Sequence, residues 1–509
     1  MMSRIASFAL MGIDALPIDV EVDISNGRFN FAVVGLPDAG LKESRERIQS
    51  AIQNSGFYFP DTRTVVNLAP ADIKKEGALL DLPIAIGVLA AQGQIVPERL
   101  ADYGMAGELS LDGLLKPVNG MLPIAIGARK AGKRGLIVPR QCASEAAIVD
   151  DVQVIGLTSL QEAVDFLNGR KQEEPWRVDV DAVFHQRKEY DVDFSDVKGQ
   201  EHAKRAMEVV AVGGHCAIMI GPPGAGKTML ARRLPTILPD MTLDESIETT
   251  KIHSIAGMTN NGSALVAQRP FRAPHHTVSD IALIGGGTIP KPGEVSLSHH
   301  GVLFLDEMPE FNRSALEVLR QPLEDGIVNI ARAAMAVTFP ARFILLGAMN
   351  PTQAGYSPDQ DGDHRVSNLD VQRYLSRISG PLLDRIDIHL EVPAVNIKEL
   401  SRGPAGEPSA SIRERVNAAR RKQIERFKRL PGVHNNAGMN TRQIKQFCPL
   451  DEECRSTLEQ ALERRGLSAR AYDRIIKVAR TIADLADSDS IELPHIAEAI
   501  NYRNLDRFV

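Results

Sequence analysis

Strict alternation of apolar and polar residues over Ile18-Asp19-Val20-Glu21-Val22-Asp23-Ile24 predicts a half-buried strand. Residues 29–34 read as a second strand, and Asn26-Gly27 between the two predicts a hairpin. The period then changes: Leu41, Ile48 and Ile52 share one face of a helix over 41–55 that stops before Gly56. Val65-Val66-Asn67-Leu68-Ala69 predicts another strand, and residues 79–92 a largely buried helix after Gly77. Strand signals recur at 136–138 and 152–155, so residues 1–168 read as an α/β or α+β domain. Residues 169–195 are polar and charge-rich, carry the single tryptophan, Trp176, and read as a linker.

Beyond the linker, residues 201–212 predict a helix and Cys216-Ala217-Ile218-Met219-Ile220 a short buried strand, with a helix opening at Met229. The continuous apolar runs 302–305 and 343–346 are typical of strands covered on both faces in a parallel sheet. Between them, 327–330 and 336–339 flank Arg332-Ala333-Ala334 as an inserted hairpin. A Gly/Pro-rich run at 403–408 marks a second linker, and the chain reads as helical from Ser411 onward. The predicted organisation is an α/β domain (1–168), a linker (169–195), an α/β core with a parallel sheet (196–400), a linker (401–410) and a helical domain (411–509).

At 509 residues the chain exceeds what one core usually serves, which agrees with several domains. Hydrophobic residues at 43% and charged residues at 24% are ordinary for a soluble globular protein. A net charge of −6 argues against a histone-like basic coat, though a local basic surface can still bind nucleic acid. Cys142, Cys216, Cys448 and Cys454 form no CxxC, which argues against a zinc site or disulfide framework and fits a reducing cytoplasm. The apolar run 5–10 is followed too soon by Asp14, Asp19 and Glu21 for a signal peptide. The most apolar window, 78–91, contains Asp81 and Pro83 and is too short to span a bilayer. The expectation is a cytoplasmic protein with no membrane partner.

The chemistry concentrates on Gly221-Pro222-Pro223-Gly224-Ala225-Gly226-Lys227-Thr228, which fits G-x-x-x-x-G-K-[ST] between a predicted strand and helix. Its backbone N–H groups and the helix N-terminus suit nucleotide phosphates, Lys227 can reach the β- and γ-phosphates, and the Thr228 hydroxyl can ligate Mg²⁺. The strand 302–305 ends in Asp306-Glu307, at the sheet end where ligands bind in α/β folds. There Asp306 can hold Mg²⁺ and Glu307 can polarise the attacking water of an ATP hydrolase. The next strand ends at Asn350, which can orient that water, and Asn350-Pro351 is also a turn signal. Arg385 in Leu382-Leu383-Asp384-Arg385-Ile386-Asp387 can reach the γ-phosphate on a neighbouring subunit of a ring; the alternative is a local pair with Asp384 or Asp387. Ser468 can cap a helix whose first turn holds Arg470, against the helix dipole, so Arg470 reads as a functional contact and Arg474, one turn on, competes for it. The histidine pairs 275–276 and 299–300 lack partners for a metal set and read as hydrogen-bonding residues. The basic helix 412–427 reads first as a solvated face.

Several of these stretches resemble known families. Lys74-Lys75-Glu76-Gly77 before a buried helix, then Gly113-Leu114-Leu115-Lys116-Pro117-Val118, resembles the proteolytic domain of Lon proteases. That family places a serine after the first glycine and a lysine after the second motif. Here Ala78-Leu79-Leu80 and Gly120-Met121-Leu122-Pro123 stand instead, a Lon-like scaffold without the serine–lysine pair that peptidase chemistry needs. Gly199-Gln200 ahead of the phosphate loop resembles the adenine-side element of AAA+ ATPases; Asp306-Glu307, Asn350 and Arg470 resemble their Walker B, sensor 1 and sensor 2 residues. Together with Phe271-Arg272-Ala273-Pro274-His275-His276 and Ala348-Met349-Asn350-Pro351, nearly the whole chain is similar to the Mg-chelatase-like AAA+ proteins of the YifB/ComM family. The resemblance implies an ATP- and Mg²⁺-dependent hexameric ring with a helical lid, acting on single-stranded or branched DNA. It also implies helicase or branch-migration activity in recombination during natural transformation, with recombination proteins as partners. Lys291 on the Gly-rich insertion and Arg332 on the hairpin are the candidate DNA contacts. The chain departs from many members at 352–358, which lacks their cysteine cluster. Two other readings of the ATPase core are a chelatase motor subunit, which would lack the N-terminal domain, and a protein-remodelling machine.

Overall fold

The computed structural model describes residues 2–75, 77–185, 190–259, 264–287, 290–332, 335–351, 374, 377–394, 406–430, 432–465 and 468–503. The cysteine-free stretch 352–358 and residues 401–405 of the second linker lie outside them. The chain folds as two compact units, the first comprising Met1–Arg187, Leu243–Ala267 and Ala331–Phe339, the second the remainder.

The first unit is built on strands β1 (Met2–Met11), β2 (Asp14–Ser25), β3 (Asn30–Val34), β4 (Arg63–Ala69), β5 (Tyr103–Met105), β8 (Gly135–Pro139) and β9 (Gln153–Leu157), with a short β6–β7 ladder (Glu108–Leu109 with Leu115–Lys116) between β5 and β8. The seven run in the order β3-β4-β2-β1-β5-β8-β9. The alternation in β2 does bury Ile18, Val20 and Val22. Its hairpin partner, however, is β1, in register from Met2↔Asp23 to Met11↔Asp14. The expected β2–β3 hairpin is corrected: β4 lies between them, antiparallel to β2 and parallel to β3. Asn26-Gly27 reverses the chain, but the helix Ala39–Asn54 then returns it so that β4 takes the place beside β2. Asp38 caps that helix by accepting from the Leu41 N–H at 2.7 Å.

The helix Asp81–Ala91 is buried on nearly every side, as an apolar run without a polar face requires. A Cβ at Gly87 would meet Val22 Cγ2 at 2.7 Å, so glycine admits the close approach to β2. The first half of the expected linker is tied down, since the Trp176 N–H donates to Val154 O at 2.8 Å and Arg140 stacks over its ring. The helix Leu243–Ile255 belongs to this unit although it follows the phosphate loop in sequence. Glu145, buried, accepts from the Leu122 N–H (2.7 Å), Thr259 Oγ1 (2.7 Å) and Ser254 Oγ.

In the second unit β10 (Ala217–Ile220), β11 (Phe271–Arg272), β14 (Val302–Leu305), β17 (Ile344–Met349) and β18 (Ile388–Glu391) form a five-stranded parallel sheet, ordered β11-β14-β17-β10-β18. The small antiparallel pair β12 (Gly285–Gly286) and β13 (Lys291–Pro292) carries the Gly-rich insertion; β15 (Ile327–Arg332) with β16 (Met335–Pro340) is the two-stranded hairpin before β17, and its residues 331–339 are counted with the first unit. The helices Ser409–Phe427, Glu452–Arg465, Ala469–Leu485 and Leu493–Asn501 follow. Their Val416, Phe427, Ile475, Ile482 and Ile496 pack into one core with Met219, Phe304 and Leu346 of the sheet. No helix among the described residues is long and apolar enough to cross a membrane.

Candidate active site

Strand β10 is buried and ends at Ile220, where the chain turns through residues 221–226 into the helix Lys227–Ile237. Gly224 and Gly226 sit at φ +78° and +82°. A Cβ at Gly224 would meet nothing within 4 Å, so glycine is there for its backbone and leaves an open cradle; at Gly221 a Cβ would lie 2.0 Å from Val392 O. Lys227 is only 8% exposed, and its Nζ donates to Gly221 O (2.6 Å), Pro222 O (3.0 Å) and Asn350 Oδ1 (3.1 Å). Burial pulls this ammonium below its ordinary pKa, and the nearby Asp306 and Glu307 act in the opposite sense. The Thr228 hydroxyl donates to Asp306 Oδ2 at 2.7 Å. A hydroxyl and a carboxylate are hard oxygen donors, so these two residues fit Mg²⁺.

Parallel pairing sets this convergence, because β10, β14 and β17 end side by side and deliver Lys227, Asp306 and Asn350 to one edge. Glu307 leaves β14 at φ +50°, its N–H donating to Asp306 Oδ1, with its exposed carboxylate 3.9 Å from His276 Nδ1. Ala225 O accepts from Gln200 Nε2 at 2.7 Å, so the Gly199-Gln200 turn touches the loop itself. The sequence points to Gln200 by its position ahead of the loop and reads His276 as a hydrogen-bonding residue, without naming Glu307 as its neighbour.

The arginines form a different cluster. Arg385 pairs with Glu324, rather than with Asp384 or Asp387, and donates from Nη1 to Pro381 O at 2.7 Å. Asp387 instead accepts from Arg474 Nη1 (2.5 Å) and lies 3.2 Å from His215 Nδ1, while His215 Nε2 is 2.8 Å from Thr481 Oγ1. Arg474 also donates to Arg385 O at 2.9 Å, so it fastens the Arg385 turn to the helix Ala469–Leu485. Arg470 is exposed, 3.6 Å from Asp384 Oδ2. Neither Arg385 nor Arg470 touches Lys227, Thr228 or Asp306 among the described contacts. Lys291 is exposed on β13 and Arg332 ends β15. Arg272 holds Glu294 with both prongs, at 2.6 and 2.7 Å. Two of the histidines hydrogen-bond locally: His275 Nδ1 lies 3.0 Å from Thr277 Oγ1, and His299 Nδ1 accepts from the Arg342 N–H.

Comparison with known proteins covers the whole of this arrangement. The family described as Magnesium chelatase, subunit ChlI matches residues 193–400, Subunit ChlI of Mg-chelatase matches 20–142, and Magnesium chelatase, subunit ChlI C-terminal matches 406–503. The chain is 45% identical to Competence protein ComM of Haemophilus influenzae over 99% of its own length and 97% of the relative's. It is 43% identical to the protein YifB of Escherichia coli over 100% and 98%. A shorter match, 26% identical over 181 residues, covers 35% of this chain and 25% of the Magnesium-chelatase 67 kDa subunit of Chlorobaculum tepidum. With matches of that length running through the phosphate loop, the acidic strand end and the C-terminal helices, the chain belongs to the YifB/ComM family of Mg-chelatase-like AAA+ proteins.

Proposed function

We propose that this protein is an ATP-driven ring motor acting on single-stranded or branched DNA, with helicase or branch-migration activity in the recombination of incoming strands. The observation that carries the ATPase part is the convergence of Lys227, Thr228, Asp306 and Asn350, with Thr228 Oγ1 on Asp306 at 2.7 Å and Lys227 Nζ on Asn350 at 3.1 Å. Lys227 exchanges its loop carbonyls for the β- and γ-phosphates, and Asn350 and Glu307 orient the attacking water. Thr228 and Asp306 would hold Mg²⁺, which supplies charge neutralisation on the phosphates when bound. Arg385, acting on the nucleotide of the next subunit in a hexamer, offsets charge developing in the transition state, with Arg470 as the second arginine of the reading. The first unit serves as a Lon-like scaffold without peptidase chemistry, and the C-terminal helices as the lid.

The DNA part rests on the family resemblance and on the similarity to ComM of Haemophilus influenzae, a competence protein. Lys291 and Arg332 are the proposed DNA-facing residues, recombination proteins the further partners, and no membrane is involved. The test is the steady-state ATPase rate with and without single-stranded or forked DNA, beside a strand-displacement assay. Stimulation with displacement is expected; ATP turnover indifferent to DNA, with no displacement, overturns the DNA reading and leaves chelatase-type or protein-remodelling work. Glu307→Gln is expected to bind ATP and turn over at least about 100-fold more slowly. Normal turnover by that variant removes Glu307 from the catalytic role.

A further inference from the structure

Glu324 has no part in the phosphate-loop chemistry, yet it sits on the arginine that the ring reading needs free. It closes the short helix Arg320–Asp325, and its carboxylate is the partner of Arg385 Nη2. The Arg385 side chain is 15% exposed, whereas that of Glu324 is 64% exposed. A buried guanidinium tends to satisfy its fork, yet among the described residues Arg385 leaves its Nε unpartnered, as does Arg474 behind it. Nη1 is held by Pro381 O and Nη2 by Glu324, but Nε is buried and finds no hydrogen-bond partner among the described residues. The turn that carries Arg385 is fixed from behind by Arg474, which donates to Arg385 O and to Asp387. Only the tip of the side chain is therefore left to move, and Glu324 is what the tip holds.

The same carboxylate is also in the field of Arg470. Arg385 first, and Arg470 and Arg320 more weakly, hold the Glu324 carboxyl below its usual range. Glu324 is thus the hydrogen-bonded counter-ion of Arg385, while Arg470 pairs with Asp384 at 3.6 Å. Water screens the pair from its exposed carboxylate side, so a polyphosphate with more charge displaces it, whereas in its absence the guanidinium stays neutralised.

We propose that Glu324 is a positioning residue for Arg385: it holds the guanidinium until the nucleotide phosphate of an adjoining subunit displaces it. This rests on the ring-ATPase reading above. Releasing the latch favours the catalytically engaged arginine at every protein concentration, and most where subunits are scarce.

The test compares steady-state ATP turnover of the full chain, Glu324→Gln, Glu324→Asp and Arg385→Ala as a function of protein concentration. Glu324→Gln is expected to raise turnover about three- to fivefold at low protein concentration, to leave KM for ATP unchanged, and to shift the concentration dependence to lower protein. Glu324→Asp, which keeps the charge, is expected to track the parent. Arg385→Ala is expected to abolish turnover, alone and combined with Glu324→Gln. Turnover that ignores Arg385→Ala overturns the ring-ATPase role of Arg385 itself. Turnover that needs Arg385 but is unchanged or lowered by Glu324→Gln overturns the latch alone.

Discussion

Each unit contains a glycine-led corner with a buried lysine, and the two corners use that lysine in opposite ways. In the second unit Lys227 spans an open cradle: its Nζ rests on loop carbonyls and Asn350, two acids stand nearby, and Gly224 leaves empty space. In the first unit Lys75 turns inward onto Pro70 O, while the buried Asp81 is closed off by two bonds from Arg47 and one from the Leu109 N–H. Burial lowers the pKa of both lysines. What separates them is whether the polar groups converge on an unfilled space or on each other. A glycine, a lysine and a buried helix make a corner; a site needs side chains with a partner still to find.

The largest effect that would break this comparison is at Lys227. Lys227→Ala is expected to weaken ATP binding and turnover at least about 100-fold, read by equilibrium nucleotide binding and phosphate release, because the phosphates lose a buried cation. Retention of tight ATP binding would place the nucleotide elsewhere.

The next largest effect concerns what holds the second unit together around its arginines. Burial alone would raise the Asp387 carboxyl; the Arg474 guanidinium and then His215 outweigh it and hold it well below the ordinary range. A depressed carboxylate contributes stability that is present above its unfolded pKa and lost as pH falls through the folded value. Asp387→Asn leaves the half-buried Arg474 without its buried anion and is expected to cost about 3 kcal/mol of the second unit's stability. It should also flatten the acid limb of that unit's melting curve below about pH 4. Differential scanning calorimetry from about pH 7 down to about pH 2 reads both; an unchanged acid limb removes Asp387 from the account.

What the sequence made legible follows the range of the interactions involved. Residues 79–92 could be read as a buried helix because the run is apolar on every face, and the phosphate loop because its residues are contiguous. The parallel strands ending at Asp306 and Asn350 were legible from their apolar runs, and parallel pairing brought their ends together. Asn26-Gly27 foretold a reversal correctly but not a neighbour, since β4 comes from residues 63–69 and no turn residue encodes that insertion. The partner of Arg385 was missed for the same reason: Asp384 and Asp387 are adjacent in sequence, whereas Glu324 is 61 residues away. The helix Leu243–Ile255 follows the phosphate loop in sequence, yet its anchor is Glu145, more than a hundred residues earlier.

In the first unit the effects are small, and that is the point of measuring them. Lys75→Met keeps the apolar stem and removes the bond to Pro70 O, so it is expected to cost about 1 kcal/mol in thermal stability and to leave ATP turnover unchanged. A loss of turnover would give Lys75 a role that its inward contacts do not predict.

The smallest expected effect is the sharpest test of the contrast. Ala78 opens the short turn Ala78–Leu80 directly after Gly77 and is half-buried, so a serine fits there with a change of under about 0.5 kcal/mol. Ala78→Ser introduces the hydroxyl that the proposed likeness to Lon proteases would place after this glycine, but a hydroxyl becomes a nucleophile only with a base in reach. The nearby ammonium, Lys75, is already directed at Pro70 O, and the residue after Gly120 is Met121. Casein hydrolysis by Ala78→Ser should therefore stay at background, with ATP turnover unaltered. Any hydrolysis abolished by Lys75→Met in the same chain would mean that Lys75 can leave its carbonyl, and the first corner would then be a closed site rather than a filled one.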